Sequence, residues 1–386
     1  MQYRKFGKQD WHVSALGMGC MRLPTIGGDS AKIDEPEALR MLHHAIEHGV
    51  NYLDTAYPYH GGNSERVLGK GLQGGYREKV RLATKLPTWL VKGPEDFDRL
   101  LNEQLGKLQT DHIDVYLLHS LNAESWKRVL EHDVLESAAK AQQDGRIGAL
   151  GFSFHDSVDA FKTIVDGYDD WAMCQIQYNY MNEEEQAGTE GLLYAAERGL
   201  AVVIMEPLLG GRLANPPAAV RRIWEAAPPE RSAVEWALQW LWNKPEVTSV
   251  LSGMSTMGQL EENLAIAARS GVGVMSAAEE EVVARARDAY AGLAPIPCTG
   301  CEYCMPCPSG VKIPTNFSIY NEGNMYAEPE AARRHYARLE EGARASACVA
   351  CRQCEEHCPQ GILISEWMPT VHAVLGEGAP WARQPA

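Results

Sequence analysis

The chain has no run of about 18 apolar residues, the length a helix needs to cross a bilayer, so no membrane span is expected. Its opening, Met1-Gln2-Tyr3-Arg4-Lys5, lacks the apolar core of a secretory signal. A cytoplasmic protein with reduced thiols is therefore the expectation. Cations are in the minority, 36 Lys and Arg against 51 Asp and Glu, for a net charge of −15. That argues against a nucleic-acid binder, which needs surplus positive charge to neutralise phosphates. Cysteine is almost missing before residue 298, where only Cys20 and Cys174 occur out of ten in all. The 386 residues, 45% of them hydrophobic, suffice for a large domain and a small one.

The remaining eight cysteines crowd into 298–358. In a reducing compartment such crowding reads as metal binding rather than disulfides. They form two runs, Cys298-x2-Cys301-x2-Cys304-x2-Cys307-Pro308 and Cys348-x2-Cys351-x2-Cys354-x3-Cys358-Pro359. The second has the spacing of bacterial ferredoxins, in which the fourth cysteine ligates the other cluster. Three thiolates at x2 spacing wrap one cubane, and the proline turn carries the fourth away. Two 4Fe–4S clusters are expected, one on Cys298, Cys301, Cys304 and Cys358, the other on Cys348, Cys351, Cys354 and Cys307. Four thiolates also suit zinc, but zinc ribbons pair two Cys-x2-Cys units. The first run has x2 before its last cysteine where x3 is usual, which makes Cys307 the weakest ligand. The forty residues between the runs, Pro308 to Ala347, carry helical stretches such as 328–341. This segment resembles the helical ferredoxin modules of succinate dehydrogenase and heterodisulfide reductase subunits.

Before residue 270, short apolar runs alternate with amphipathic helical patterns. The runs are 14–18, 51–55, 79–85, 113–119, 147–152, 172–177, 201–205 and 248–252, and the helical patterns include 36–48, 64–73, 94–108, 134–144, 188–198 and 232–242. Eight strands alternating with helices over about 250 residues predict a (β/α)8 barrel. Residues 3–13 read as a hairpin closing its floor. The rival is an open doubly wound sheet, whose first turn carries Gly-x-Gly-x-x-Gly; Gly17-Met18-Gly19-Cys20-Met21-Arg22 lacks the third glycine. The expected domains are a barrel at 1–275, a connecting helix and proline-rich joint at 276–297, and a small, mainly helical two-cluster ferredoxin-like domain at 298–386.

Side chains alternate along a strand, so Ile113, Val115, Leu117 and His119 share a face that is apolar until His119. Asp54 closes the second run in the same way, and Lys85 ends the third. Active sites of such barrels form at the C-terminal ends of strands. An acid, a lysine and an imidazole thus converge on one mouth, within reach of Tyr59. A lysine at an apolar rim is costly unless paired, and Asp54 is the natural partner.

The stretch Asp54-Thr55-Ala56-Tyr57-Pro58-Tyr59, with Asn63-Ser64-Glu65 and Gly69 after it, resembles the signature of the aldo-keto reductases. Thr84-Lys85 and Leu117-Leu118-His119-Ser120 are similar to that family's lysine and histidine segments, and the whole architecture resembles its ferredoxin-bearing subgroup. The resemblance implies an NAD(P)(H)-dependent oxidoreductase interconverting a small-molecule carbonyl and an alcohol. In it Tyr59 is the general acid/base, Lys85 lowers the phenol pKa from about 10, Asp54 holds Lys85, and His119 orients the carbonyl. It also implies nicotinamide contacts at Ser153 and Gln175, with Met205 where relatives stack an aromatic ring. Gly253, Ser255, Gln259, Glu262 and Asn263 correspond to the adenosine-binding loop and helix. No Lys or Arg stands at Gly253 or Gln259 to meet a 2′-phosphate, so the reading leans to NAD(H) over NADP(H). Arg212 is read either as a pyrophosphate ligand or as a surface arginine. Tyr57, Trp89, His155 and Tyr178 are candidates for the pocket wall. The alternative to an enzyme is an electron-transfer or regulatory subunit whose barrel docks a redox partner protein.

Overall fold

The computed structural model describes residues 1–381. These fall into two compact units, 1–211 with 234–280, and 212–233 with 281 onward. Residues 212–233, expected in the barrel, thus group with the C-terminal unit, and helix Ala277–Ala291 is divided after Glu280. Residues 382–386 of the expected third segment lie outside the described residues.

In the first unit, β1 (Tyr3–Lys5) and β2 (His12–Ser14) pair as an antiparallel hairpin. Eight further strands close a parallel barrel: β3 (Leu16–Gly19), β4 (Tyr52–Asp54), β5 (Arg81–Leu86), β6 (Ile113–Leu121), β7 (Ile147–Phe154), β8 (Met173–Gln177), β9 (Ala201–Met205) and β10 (Val247–Ser252). Strands follow chain order around the barrel, and β10 closes on β3. All the expected apolar runs are strands, and helices occupy the amphipathic stretches between them.

The barrel interior is filled by side chains, as close packing requires. Tyr52, Ala83, Val115, Leu117, Met173, Ala201, Val203 and Leu251 form its core, joined by Phe6 and Val13 from the hairpin. Large residues fit because small ones face them. A β-carbon on Gly151 would stand 2.4 Å from the Met173 sulfur. Phe6 is fully buried, stacks on Trp11 at 4.2 Å between centroids and meets the Tyr52 ring at 5.9 Å. Gly7 then turns the chain at φ +51, where a β-carbon would lie 2.7 Å from Ala201 N and Gly199 O. The hairpin is therefore a fitted floor, and the open end is at the C-terminal ends of the strands.

The second unit packs helices Ile313–Met325, Pro329–Ala337 and Ile364–Leu375 around Val311, Phe317, Tyr320, Tyr336, Met368 and Val371. Six of the eight clustered cysteines flank this core; Cys301 and Cys351 are exposed. No helix among the described residues is long and apolar enough to cross a membrane.

A Phe6→Ala substitution should cost about 3–5 kcal/mol in urea unfolding of the chain, the range for deleting a buried aromatic ring. A loss below about 1 kcal/mol would show that the hairpin does not seal the barrel.

Candidate functional site

Asp54 ends β4, and the parallel register sets its backbone beside Gly19 on one side and Ala83 on the other. Lys85 lies two residues beyond Ala83 on the same face of β5. Its Nζ donates to Asp54 Oδ1 at 2.6 Å and to the Thr55 carbonyl at 2.7 Å. Both side chains are buried, at 1% exposure for Lys85 and 2% for Asp54. Burial would lower the Lys85 ammonium, but Asp54 and Tyr59 together hold it above its ordinary value. Lys85 is therefore a fixed buried cation.

Tyr59 sits in the loop after β4, its ring centroid 5.1 Å from Lys85 Nζ. The His119 ring meets it edge-on at 6.0 Å. Burial raises the Tyr59 phenol and Lys85 lowers it, with a net rise. Lys85 thus pulls the phenol in the direction the resemblance implies, burial opposes it more strongly, and Tyr59 rests protonated. His119 is pushed down to about 3 by burial, then by Lys85 and His155. It is a neutral imidazole, and its Nδ1 has no hydrogen-bond partner among the described residues. Asp54, Tyr59, Lys85 and His119 are thus brought together as the sequence implies.

Behind Lys85 lies a polar network with no assigned role in the sequence. Gln104 Nε2 donates to the Lys85 carbonyl at 3.1 Å, to Glu65 Oε1 at 2.6 Å and to Thr84 Oγ1 at 3.2 Å, while its Oε1 accepts from the Tyr116 hydroxyl at 2.7 Å. Gln104 and Glu65 are fully buried. A polar residue recurring on the inner face of a helix was the available signal.

The nicotinamide candidates sit on adjacent strands, with Ser153 beside Gln175 in register and Gln177 beside Met205. Gln175 is 2% exposed and its Oε1 has no partner among the described residues, a vacancy suited to an amide. Its Nε2 lies 3.9 Å from the Met205 sulfur. Ser153 Oγ accepts from Ser120 N at 2.8 Å and keeps its proton to donate. After β10, Gly253 and Ser255 lead into helix Met257–Ala268, whose cap is Thr256. Gln259 Oε1 accepts from Ser255 N at 2.8 Å, Asn263 Nδ2 donates to Ser252 Oγ at 2.9 Å, and Glu262 is exposed on the same helix. Helix N-termini of this kind favour anions.

Arg212 is partly exposed and engaged in ion pairs. Its guanidinium pairs with Glu322 and Glu328, each at 3.0 Å, and lies 5.1 Å from the Tyr326 ring. Arg22 crosses the loops that follow β9 and β10. Its side chain passes 3.2 Å from where a β-carbon on Gly253 would stand, and its guanidinium comes 3.3 Å from the same point on Gly210. Its carbonyl accepts from Ser255 Oγ at 2.8 Å. Of the wall candidates, Trp89 lies 5.2 Å from the His119 ring. Tyr178 is buried, stacked on Trp240 and bonded to Thr189, and the Tyr57 hydroxyl donates to Glu103. Those two are engaged elsewhere.

In the second unit, Cys298, Cys301, Cys304 and Cys358 surround one cavity, walled by Ile313, Phe317, Ile362 and Ile364. Burial raises the Cys298 and Cys304 thiols, and their neighbours Cys301 and Cys358 raise them further. Cys354 is pushed up to about 11 by burial, with Glu355, Cys304 and Cys307 adding to it. Thiolates this close repel one another unless a cation neutralises them, so the donor set fits an iron–sulfur group. Among the described residues no three His, Cys, Asp or Glu side chains gather around a single-ion site. Two buried asparagines on helix Ile313–Met325 hold the approaches to both cysteine runs. Asn321 takes Ile296 N at 3.0 Å and gives to Ile296 O at 2.7 Å; Asn316 takes Ala345 N at 2.9 Å and gives to Ala343 O at 2.8 Å.

Comparison with known proteins agrees on both units. Residues 15–270 match the model of the aldo/keto reductase family, and 297–363 match that of the 4Fe-4S dicluster domain. The oxidoreductase YqkF of Bacillus subtilis is 28% identical over 297 residues, covering 68% of this chain and 90% of its own. L-galactose dehydrogenase of Arabidopsis thaliana is 28% identical over 294 residues, covering 69% and 88%. The holo structure of an aldo-keto reductase from Bacillus halodurans superposes with a TM-score of 0.62 at 26% identity, covering 74% of this chain and 96% of that one.

A neutral His119 has a direct consequence for pH dependence. Its folded pKa is depressed, so it takes up no proton until far below the ordinary imidazole range. From about pH 5 to about pH 8, kcat/KM should carry no inflection from His119. A His119→Gln variant should keep the shape of the wild-type profile at reduced height. A limb near pH 6.5 that vanishes in the variant would show a titrating imidazole.

Proposed function

Because the chain belongs to the aldo/keto reductase family, we propose that its barrel interconverts a carbonyl and an alcohol with NAD(P)(H), using Tyr59 as general acid/base. The observation that carries this is Lys85 Nζ wedged between Asp54 Oδ1 and the Thr55 carbonyl at the face of Tyr59. A bound nicotinamide supplies the hydride in reduction and accepts it in oxidation. Tyr59 gives its phenolic proton to the carbonyl oxygen as the carbon takes the hydride, and solvent returns that proton. Lys85 stabilises the transient phenolate, and Asp54 keeps Lys85 charged and in place. The neutral His119 presents an N–H to the same oxygen and orients it. In oxidation Tyr59 takes the alcohol proton.

The cofactor contacts read from sequence are kept as proposals with one change. Gln175 and Ser153 would hold the carboxamide, Met205 would lie against the ring, and Ser255, Gln259, Glu262 and Asn263 would surround the adenosine with Gly253. Arg22 replaces Arg212 as the pyrophosphate ligand, since Arg212 is committed to two carboxylates. Residues 253–263 hold no Lys or Arg, which supports NAD(H) over NADP(H). The Arabidopsis relative's name, L-galactose dehydrogenase, fits an alcohol–carbonyl pair.

In the second unit, one 4Fe–4S cluster would be held by Cys298, Cys301, Cys304 and Cys358, and the other by Cys348, Cys351, Cys354 and Cys307. The clusters supply one-electron chemistry. The shared cavity supports the crossed assignment, since it sets Cys358 of the second run among three cysteines of the first.

Tyr59→Phe should lower kcat by about a hundredfold to ten-thousandfold with cofactor binding retained. Undiminished NAD(P)H-linked turnover would overturn the assigned role. If each run lends its last thiolate to the other cluster, Cys307→Ser should destabilise both clusters. Anaerobic iron and sulfide analysis should then find well under half the wild-type content, whereas a retained half would mean independent clusters.

A further inference from the structure

The mouth of the barrel carries a second polar group that the hydride and proton steps do not use. His155 follows the end of β7, its backbone N–H donating to the Leu121 carbonyl at 3.0 Å. It is exposed, yet close enough to His119 to act on it electrostatically. Glu206 faces His155 with its charge, and the Gln186 side chain is within hydrogen-bonding reach of it. Gln177 lies two residues beyond Gln175 on the same face of β8 and accepts from Gln186 Nε2 at 3.2 Å. From His119 outward, the four form a continuous polar line.

Their placement is held against a backbone preference. Gln186 and Glu206 both have left-handed backbones, with φ of 56 and 54, a conformation that side-chain-bearing residues seldom adopt. The Glu206 carbonyl is fixed by Asn179 Nδ2 at 3.1 Å. Such conformations persist where the surroundings over-determine them, often at ligand clamps. Trp89 keeps 44% of its surface exposed while its ring stands 5.2 Å from His119. Two features thus meet near His119, an exposed aromatic face and an array of amide, imidazole and carboxylate.

We propose that His155, Gln177, Gln186 and Glu206 read the hydroxyl groups of a neutral, polyhydroxylated carbonyl substrate whose C–H face lies on Trp89. Carboxylate and amide oxygens accept from hydroxyls, and amide and imidazole N–H groups donate to them, a pairing that vicinal hydroxyls satisfy and an aryl carbonyl does not. Glu206 also disfavours anions: a carboxylated or phosphorylated substrate would face its charge, and Lys85, the cation of the tetrad, is already paired with Asp54. The inference rests on the carbonyl–alcohol reading above and deepens it by naming the substrate class.

The test compares reduction of three aldehydes by the full chain purified anaerobically: D-erythrose, 4-nitrobenzaldehyde and succinic semialdehyde. The wild-type protein should favour D-erythrose in kcat/KM over both others. Gln186→Ala should lower the D-erythrose to 4-nitrobenzaldehyde ratio by about tenfold, the worth of one or two lost hydrogen bonds. The near-isosteric Glu206→Gln, which preserves packing, should raise succinic semialdehyde relative to D-erythrose. Ratios unmoved in both variants, or a wild-type preference for 4-nitrobenzaldehyde, would overturn the proposal. Turnover that depends on Tyr59 but shows unmoved ratios sinks only the substrate class. No turnover of any aldehyde counts against the function itself, and calorimetry with sorbitol then decides the wall separately, since binding to the wild-type chain should weaken in Gln186→Ala and equal or absent binding would overturn it.

Discussion

The first unit depends on one buried ion pair. Taking an ammonium and a carboxylate out of water is expensive, and the attraction between them repays it only with good geometry and further hydrogen bonds. Lys85 meets those terms through Asp54 Oδ1 and the Thr55 carbonyl. The pair in turn requires β4 and β5 to end in the register they have, and Gln104 fixes the Lys85 carbonyl from behind. The consequences run outward. Burial, with the fixed cation adding to it, keeps His119 neutral, and Lys85 stands beside the Tyr59 phenol. Removing either partner would leave the other charge buried and alone, so the chemistry and the stability of the mouth share a single constraint.

The second unit solves a different problem. Thiolates gathered in a small volume repel one another, and helix Ile313–Met325 gathers them through Asn316 and Asn321, which hold the chain just ahead of the two runs. Six cysteines also lie against a common apolar core. Chemically the two units deal in different currencies, since hydride carries two electrons and each cluster takes one at a time. The carbonyl chemistry derived for the barrel balances with a hydride and a proton and draws no electron from a cluster.

The sequence was most legible where a rule is strict. Strand alternation placed Asp54, Lys85 and His119 at one end of one face, and the cysteine spacings marked the segment that matches the 4Fe-4S dicluster domain. It was least legible where a side chain's partner lies far along the chain. Gln104 looks like one more polar residue in an amphipathic helix until it is seen beneath Lys85. Arg212 follows Gly210 and Gly211, and nothing near it in sequence shows whether it meets a ligand or another side chain. The distinction came from Glu322 and Glu328, more than a hundred residues beyond Arg212. Asn316 and Asn321 were invisible for the same reason. The grouping of 212–233 with the C-terminal unit left no periodic signal at all.

The balance at Tyr59 bears on the direction of the reaction. Burial raises the phenol and Lys85 lowers it, and burial prevails. The resting group is thus a neutral acid held beside a cation, which suits donating a proton to a carbonyl oxygen. Oxidation asks the same residue to begin as phenolate, a state that Lys85 stabilises but that burial makes costly. An alcohol oxygen arriving between Tyr59 and His119 changes this balance, because a hydrogen bond to the phenolate offsets part of its desolvation. In the proposed reaction the acid role thus needs only the fold, whereas the base role also needs the substrate. The exposure of Trp89 and the left-handed backbones of Gln186 and Glu206 fit that division. In the proposed reaction the tetrad is a general proton switch, and the wall beside it selects which oxygen reaches the switch.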